Sequence, residues 1–100
     1  MKLTIKDRIL INALYPQQTN LIEQIITRDI KHKVGITQEE LDKYQIVVKD
    51  GGLTWTGSDE FDVDFTDKEL ELLKKQINVL DKKNQITQDI VDLCLKIQGK

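Results

Sequence analysis

Three threonines constrain the possible fold of this chain most, because the residues around each of them have a pattern typical of a helix start. Thr37 is followed three residues later by Glu40, and Thr66 is followed in the same way by Glu69. A threonine and an acid at this spacing form a capping box, which pairs backbone N–H groups that the first helical turn leaves free. Thr87 has flanking apolar residues that can form a hydrophobic staple, but it lacks the acid. Helices are therefore predicted to start near Gln38, Asp67 and Gln88.

Apolar residues at helical spacing complete the predicted set of helices. A first helix is expected to end near Tyr15, because Pro16 disfavours the helical conformation in the residue before it. A second helix is expected to end at Gly35. Its apolar residues follow an i, i+3, i+4 rhythm: Leu21, Ile22, Ile25, Ile26 and Ile30. A short polar turn joins the last two helices, which predicts an antiparallel αα-hairpin at the C-terminal end.

After the third helix, the apolar period changes to two, which is the spacing of a β-strand. Segments 46–49 and 53–56 flank Asp50-Gly51-Gly52, a strong hairpin signal because glycine adopts positive φ without steric cost. A third strand is predicted over residues 61–65, where apolar residues alternate with acids. The predicted fold class is α+β, with about five helices and a small antiparallel β-hairpin or three-stranded meander. Residues 1–100 are expected to form a single compact domain.

The net charge of −2 conceals one strongly acidic segment. The chain has 15 Lys and Arg against 17 Asp and Glu, but residues 58–69 hold six acids and one lysine, a local charge of −5. Acids on one strand face discourage edge-to-edge pairing of strands, and they also steer a basic partner towards the site. Both interpretations stay open. On the second, the predicted protein-binding residues are four of these acids and two neighbouring aromatics: Tyr44, Trp55, Asp59, Glu60, Asp62 and Asp64.

Catalytic residues, metal ligands and cofactors are not predicted. The only histidine, His32, is expected at the end of the second helix, where a positive side chain is favourable. The only cysteine, Cys94, lies on the apolar stripe of the last helix and is expected to be an inert core thiol. The alternating acids of residues 62–67 depart from a calcium loop at Phe65 and Thr66. A phosphate-binding glycine loop is absent from the sequence. We therefore predict a non-enzymatic protein.

An alternative function is that of a winged-helix-like DNA-binding regulator. Three helices followed by a β-hairpin is the element order of that fold, with the Asp-Gly-Gly hairpin as the wing. The third helix, which would enter the major groove, is more acidic than basic, so it would meet the DNA phosphates unfavourably. This alternative requires a contiguous basic face built from five residues: Arg8, Arg28, Lys31, Lys33 and Lys49.

Small uncharacterised proteins that phages and integrated elements often encode resemble this chain in two segments. Their C-terminal part is similar to F-T-D-K-E-L-E-L-L-K-K-Q-I-N-V-L-D-K-K-N-Q-I-T-Q-D-I-V-D-L-C, and their opening is similar to D-R-I-L-I-N-A-L-Y-P-Q-Q-T-N. The resemblance implies a phage context, but it implies no activity and brings no functional residues with it.

The leading hypothesis is a protein-interaction module that binds a protein partner through the acidic strand region. A cytoplasmic location is expected, because neither a signal peptide nor a membrane-spanning run is recognised and the single cysteine excludes an internal disulfide. A homodimer through the C-terminal hairpin is a further hypothesis. It rests on Leu72, Val79 and Leu95, which lie off the main apolar stripes of the last two helices.

Overall fold

The computed structural model describes residues 1–57 and 59–99 of the chain. Within these ranges there are five α-helices and two antiparallel sheets of two strands each, which confirms the α+β class. The elements follow in the order β1 (Lys2–Thr4), α1 (Ile5–Leu10), α2 (Leu21–Val34), α3 (Gln38–Lys43), β2 (Val47–Lys49), β3 (Gly52–Thr54), β4 (Glu60–Asp62), α4 (Asp67–Lys82) and α5 (Val91–Ile97). Short 3-10 helices follow α1 at Ile11–Leu14 and precede α5 at Gln88–Ile90. Ser58, which belongs to the predicted acidic segment, lies outside the described residues.

The helix starts predicted from Thr37 and Thr66 are confirmed. The Thr37 hydroxyl accepts a hydrogen bond of 3.2 Å from the N–H of Glu40, whose carboxylate accepts one of 3.0 Å from the N–H of Thr37. Thr66 and Glu69 make the same pair of bonds, at 3.2 and 2.8 Å. Both helices therefore begin with two backbone donors paired by side chains.

Thr87 does not act as a capping residue through its side chain. It precedes the 3-10 turn Gln88–Ile90, its hydroxyl makes no capping bond, and α5 begins only at Val91. A capping box that was not predicted starts α1 instead, where Thr4 and Asp7 exchange two bonds of 3.1 Å. Aspartate in place of glutamate and a strand directly before the cap make this signature harder to recognise in the sequence.

Gly35 follows the end of α2, as predicted, but for a different physical reason. Its φ of −57° is not left-handed, so the helix end does not need the conformational freedom of glycine. A Cβ atom at this position would stand 2.9 Å from the carbonyl oxygen of Lys31, to which the Gly35 N–H donates. Glycine is therefore required here by the close approach of the preceding helical turn.

The hairpin predicted around Asp50 and Gly51 forms from β2 and β3. Both turn residues have positive φ, 51° and 79°, as a two-residue hairpin turn requires. The three-stranded meander does not form, because β4 pairs with the N-terminal strand β1 and places Phe61 opposite Leu3. The first strand was not predicted, since three residues are too few to show a period.

The main core lies between the helices and is almost entirely aliphatic. α2 packs against α4, and α4 packs against α5, the pair predicted as an αα-hairpin. Fully buried side chains come from several elements around this core: Leu3, Ile11, Leu14, Ile30, Leu73 and Leu93. Cys94 is also buried there, and burial raises the pKa of its thiol.

The predicted apolar stripe of α2 is buried only in the second half of the helix. Ile30 is fully buried, whereas Leu21 is 76% exposed, Ile22 is 70% exposed and Ile25 is 41% exposed. The periodicity correctly indicates a helix with an apolar face. It does not indicate how much of that face is buried, and the domain leaves the first two turns of the face uncovered.

A second and smaller apolar cluster lies at the base of the hairpin, and we call it the hairpin cluster. Its buried members are Ile5, Tyr44 and Ile46, and its half-buried members are Ile9, Ile36, Leu41, Trp55 and Phe61. The rings of Tyr44 and Phe61 meet edge to face, with centroids 5.9 Å apart. The N–H of Thr56 donates to the carbonyl of Tyr44 at 2.7 Å, so this cluster also holds the chain that leaves β3.

Candidate functional site

The predicted acidic residues lie along β4 and beside it, with their carboxylates exposed. Glu60 and Asp62 are on the strand itself. Asp62 is opposite Lys2 in the β1–β4 register, and its carboxylate lies 3.9 Å from the amino group of Met1. Two positive groups therefore accompany Asp62, so it contributes less free negative charge than the sequence suggests.

Other acids of this segment have contacts within the domain. Asp59 accepts a hydrogen bond of 2.7 Å from the phenol of Tyr44, and this bond raises the pKa of Tyr44. The Lys33 ammonium donates to the backbone carbonyl of Asp64 at 2.7 Å and to the buried carboxylate of Glu69 at 2.6 Å. Burial alone would raise the pKa of Glu69. The hydrogen bonds from the Lys33 side chain and the Thr66 backbone have the larger combined effect, so the pKa is lowered. The acidic segment is therefore in part structural.

The two predicted aromatics have different positions. Tyr44 is buried in the hairpin cluster and reaches the surface only through its bond to Asp59. Trp55 is half-buried at the edge of that cluster, directly after β3. Tyr44 therefore positions the neighbouring surface, and Trp55 forms part of it.

The hairpin exposes apolar side chains that were not among the predicted binding residues. Val48 is 77% exposed and Val47 is 51% exposed. Val48 lies directly opposite Leu53, which is 40% exposed, so these two side chains share one face of the hairpin. The alternation along each strand continues this face to Ile46 and Trp55. One apolar face therefore runs from the hairpin cluster out into solvent.

A groove of about 720 Å³ separates the hairpin from α3. Leu41 and Val47 provide apolar lining, Trp55 stands at one side, and Asp42 and Lys49 add one charge of each sign. The sequence feature from which these exposed apolar side chains could have been predicted is the unbroken apolar run Ile46-Val47-Val48. Successive residues of a strand point to opposite faces, so this succession places apolar side chains on both faces of the hairpin.

Arg8, a residue of the predicted basic face, is a buried clamp between α1 and α3. Its guanidinium donates to both carboxylate oxygens of Glu40, at 2.6 and 2.9 Å, and to the carbonyls of Val34 and Gly35, at 3.0 and 2.6 Å. It also lies 4.6 Å from the centroid of the Phe61 ring. The bidentate bond from Arg8 lowers the pKa of Glu40 to about 2. Four of the five N–H donors of Arg8 are thus engaged, which leaves little with which to bind a DNA phosphate.

The other members of that basic face are distributed over different elements. Lys33 bonds to Glu69, as described above. Arg28 and Lys31 are exposed on α2, and Lys49 is exposed on the hairpin. Two of the five predicted residues are therefore committed within the domain, and the DNA-binding alternative retains only the other three.

In residues 1–57 and 59–99, no group of three or more His, Cys, Asp or Glu side chains is placed to hold a metal ion. His32 is exposed on α2. Among the described helices, none is both long enough and apolar enough to cross a membrane.

Comparison of the chain with protein-family models, with curated proteins and with solved structures gives no match. The resemblance to phage-encoded proteins therefore stays a prediction.

Proposed function

We propose that this protein is a non-enzymatic protein-binding module that contacts its partner through the hairpin and the adjoining acids. We call this the hairpin surface, and it consists of Val48, Leu53, Trp55, Asp59 and Glu60. The observation that carries the proposal is the exposure of Val48 and Leu53, opposite each other on a hairpin whose strand residues are all exposed.

An apolar face of this kind favours association. The cross-strand pair of Val48 and Leu53 contributes roughly 0.2–1 kcal/mol to the hairpin, which is less than the gain from covering these side chains. Covering such a side chain completely contributes about 1.5–3 kcal/mol, and contiguous exposed apolar patches commonly mark interaction sites. Trp55 at the base of the hairpin adds the residue type that most often anchors an interface.

The acids beside the hairpin define the chemistry of the partner. Asp59 is held next to Tyr44 by its hydrogen bond, and Glu60 follows it on β4 with an exposed carboxylate. An apolar centre with a charged rim is the usual anatomy of a protein interface. A partner segment with apolar residues and a neighbouring Lys or Arg fits this surface, since the acids speed its approach and fix its orientation.

The predicted homodimer and the predicted cellular context do not involve the hairpin surface. A homodimer through α4 and α5 is not part of this proposal, because Leu72 is buried in the main core and Val79 is half-buried, which leaves Leu95 as the exposed member of that set. A cytoplasmic location and a phage context belong to the proposal on the strength of the sequence alone.

Photocrosslinking in the cells that naturally produce the protein tests this function. A benzoylphenylalanine in place of Val48 is expected to form a covalent adduct with one partner protein. The same residue in place of Leu95 is the matched control, since Leu95 on α5 is 40% exposed, the same fraction as Leu53. Leu53→Ser is expected to prevent capture of that partner, and Leu95→Ser is expected to leave it unchanged.

Two results would contradict the proposal. Identical adducts from positions 48 and 95 would show non-specific contact. Salt-sensitive binding of the purified protein to mixed-sequence duplex DNA, unaffected by Leu53→Ser, would favour the DNA-binding alternative instead.

A further inference from the structure

A second exposed apolar patch lies on the first two turns of α2, separate from the hairpin surface. Leu21, Ile22 and Ile25 form it, and we call it the α2 patch. The three side chains recur at helical spacing on one face, so they form a continuous surface. They are contributed by a single regular element whose N-cap, Asn20, is in place and accepts a bond of 2.8 Å from the N–H of Glu23.

A groove between α2 and α4 lies directly beside the α2 patch. Its volume is about 360 Å³, and Ile22, Ile26 and Leu72 form its apolar lining. Lys75 on α4 donates to the carboxylate of Glu23 on α2 at 2.8 Å, so an ion pair ties the two helices together at the groove. The groove is large enough to accept a leucine side chain.

We propose that the α2 patch is the interface of a two-fold dimer of this chain, in which Leu21 of each copy enters the α2–α4 groove of the other. In a two-fold interface, the same surface of both copies must provide the protruding and the receiving parts. Leu21, at 76% exposure, protrudes next to Ile22, which lines the receiving groove. Protrusion and groove therefore lie on one patch, as such an interface requires.

The charges around the groove favour a second copy over a strongly charged partner. Two positive and two negative side chains line it: Lys68, Lys75, Glu23 and Glu71. Lys75 and Glu23 already pair within the chain, and Lys68 and Glu71 add one further charge of each sign, so the Lys68 of one copy can meet the Glu71 of the other. A strongly basic or acidic partner gains no net attraction from this balanced lining, in contrast to the acidic side of the hairpin surface.

Sedimentation velocity on the purified chain tests the dimer. The patch is small, so association is expected at protein concentrations of about 100 μM rather than nanomolar ones. The mass of the wild-type chain is expected to rise from 11.6 kDa towards twice that value as the concentration increases. Leu21→Asp and Ile22→Asp, made separately, are each expected to weaken dimerisation at least tenfold, while Leu95→Asp leaves the dimer unchanged.

Fold integrity and surface identity have their own controls. Circular dichroism and thermal melts of each variant are expected to match the wild type, because both side chains are largely in solvent. If Leu21→Asp proves unstable, Leu21→Ser replaces it without adding a charge. A wild-type chain that stays monomeric up to a few hundred micromolar overturns the proposal. So does a dimer that Val48→Asp abolishes and Leu21→Asp preserves, which would place the contact on the hairpin surface.

Discussion

The main core and the hairpin cluster are held together in different ways. The buried side chains of the main core are aliphatic apart from Cys94, and helix faces contribute most of them. The hairpin cluster has a buried tyrosine, borders two more aromatics, and has polar contacts at its margin, from Tyr44 to Asp59 and from Arg8 to Glu40 and the Phe61 ring. Apolar volume therefore determines the stability of the first cluster, whereas directional contacts determine much of the stability of the second.

Truncation of one aliphatic residue in each cluster is the strongest test of this comparison. Leu73→Ala in the main core is expected to lower the free energy of unfolding by about 3–4 kcal/mol, because Leu73 is enclosed on all sides. Ile46→Ala in the hairpin cluster is expected to cost about 2 kcal/mol, since this site lies near the surface and can relax. Urea denaturation measures both. Equal losses would show that the two clusters respond alike.

Removal of the Arg8 side chain is the next largest change. Arg8→Ala is expected to cost about 3 kcal/mol, because it leaves Glu40 and two backbone carbonyls without their donor in a mostly buried place. Lys6→Ala, at an exposed position of the same helix, is the matched control and is expected to change stability by less than about 0.5 kcal/mol. A small effect at Arg8 would contradict the idea that directional contacts hold the hairpin cluster.

Lowering the pH tests the same comparison of the two clusters, because it removes the charge of Glu40, the partner of Arg8. The pKa of Glu40 is about 2 in the folded chain, below its ordinary value of 4.5, so its contribution is complete above pH 4.5 and is lost as the pH falls towards 2. We expect this loss to be about 2 kcal/mol, less than the full shift implies because the carboxylate is partly exposed. Urea midpoints between pH 2 and pH 6 measure it. Glu40→Gln is expected to flatten this dependence but not remove it, because the lowered pKa of Glu69 acts in the same direction.

Two tyrosines provide the smallest test. The phenol of Tyr44 donates to Asp59, so Tyr44→Phe is expected to cost about 1 kcal/mol. The phenol of Tyr15 is buried without a hydrogen-bond partner among the described residues, and burial raises the pKa of Tyr15 to about 12. Tyr15→Phe is therefore expected to be neutral or slightly stabilising in thermal melts. A loss at Tyr15 equal to that at Tyr44 would contradict this assignment.

Local signals predicted the local parts of the fold. Thr37, Thr66 and the Asp50-Gly51 turn act on their immediate neighbours, so a short stretch of sequence is enough to recognise each of them. The pairing of β1 with β4 joins residues about 60 positions apart, and nothing in either three-residue strand specifies the other. The exposure of the α2 patch was missed for a related reason: periodicity reveals an apolar face, but it does not reveal whether another element covers it.

In the candidate site, too, local features could be predicted and features that depend on distant residues could not. Composition identified the acids and Trp55 beside the hairpin. Val48 was missed because its exposure depends on how far the hairpin extends beyond the domain. Arg8 was placed on a basic face because its partner, Glu40, is 32 positions away in the chain.

The buried thiol of Cys94 allows chemical labelling to measure how often the folded chain opens. It is the only cysteine, it lies in the main core, and its burial and raised pKa both slow attack on a disulfide reagent. The rate of labelling by such a reagent therefore measures how often α5 separates from the rest of the core, without any engineered probe. A labelling rate that matches global unfolding would identify α5 as part of the last structure to open, and a faster rate would show that α5 separates before the domain unfolds as a whole.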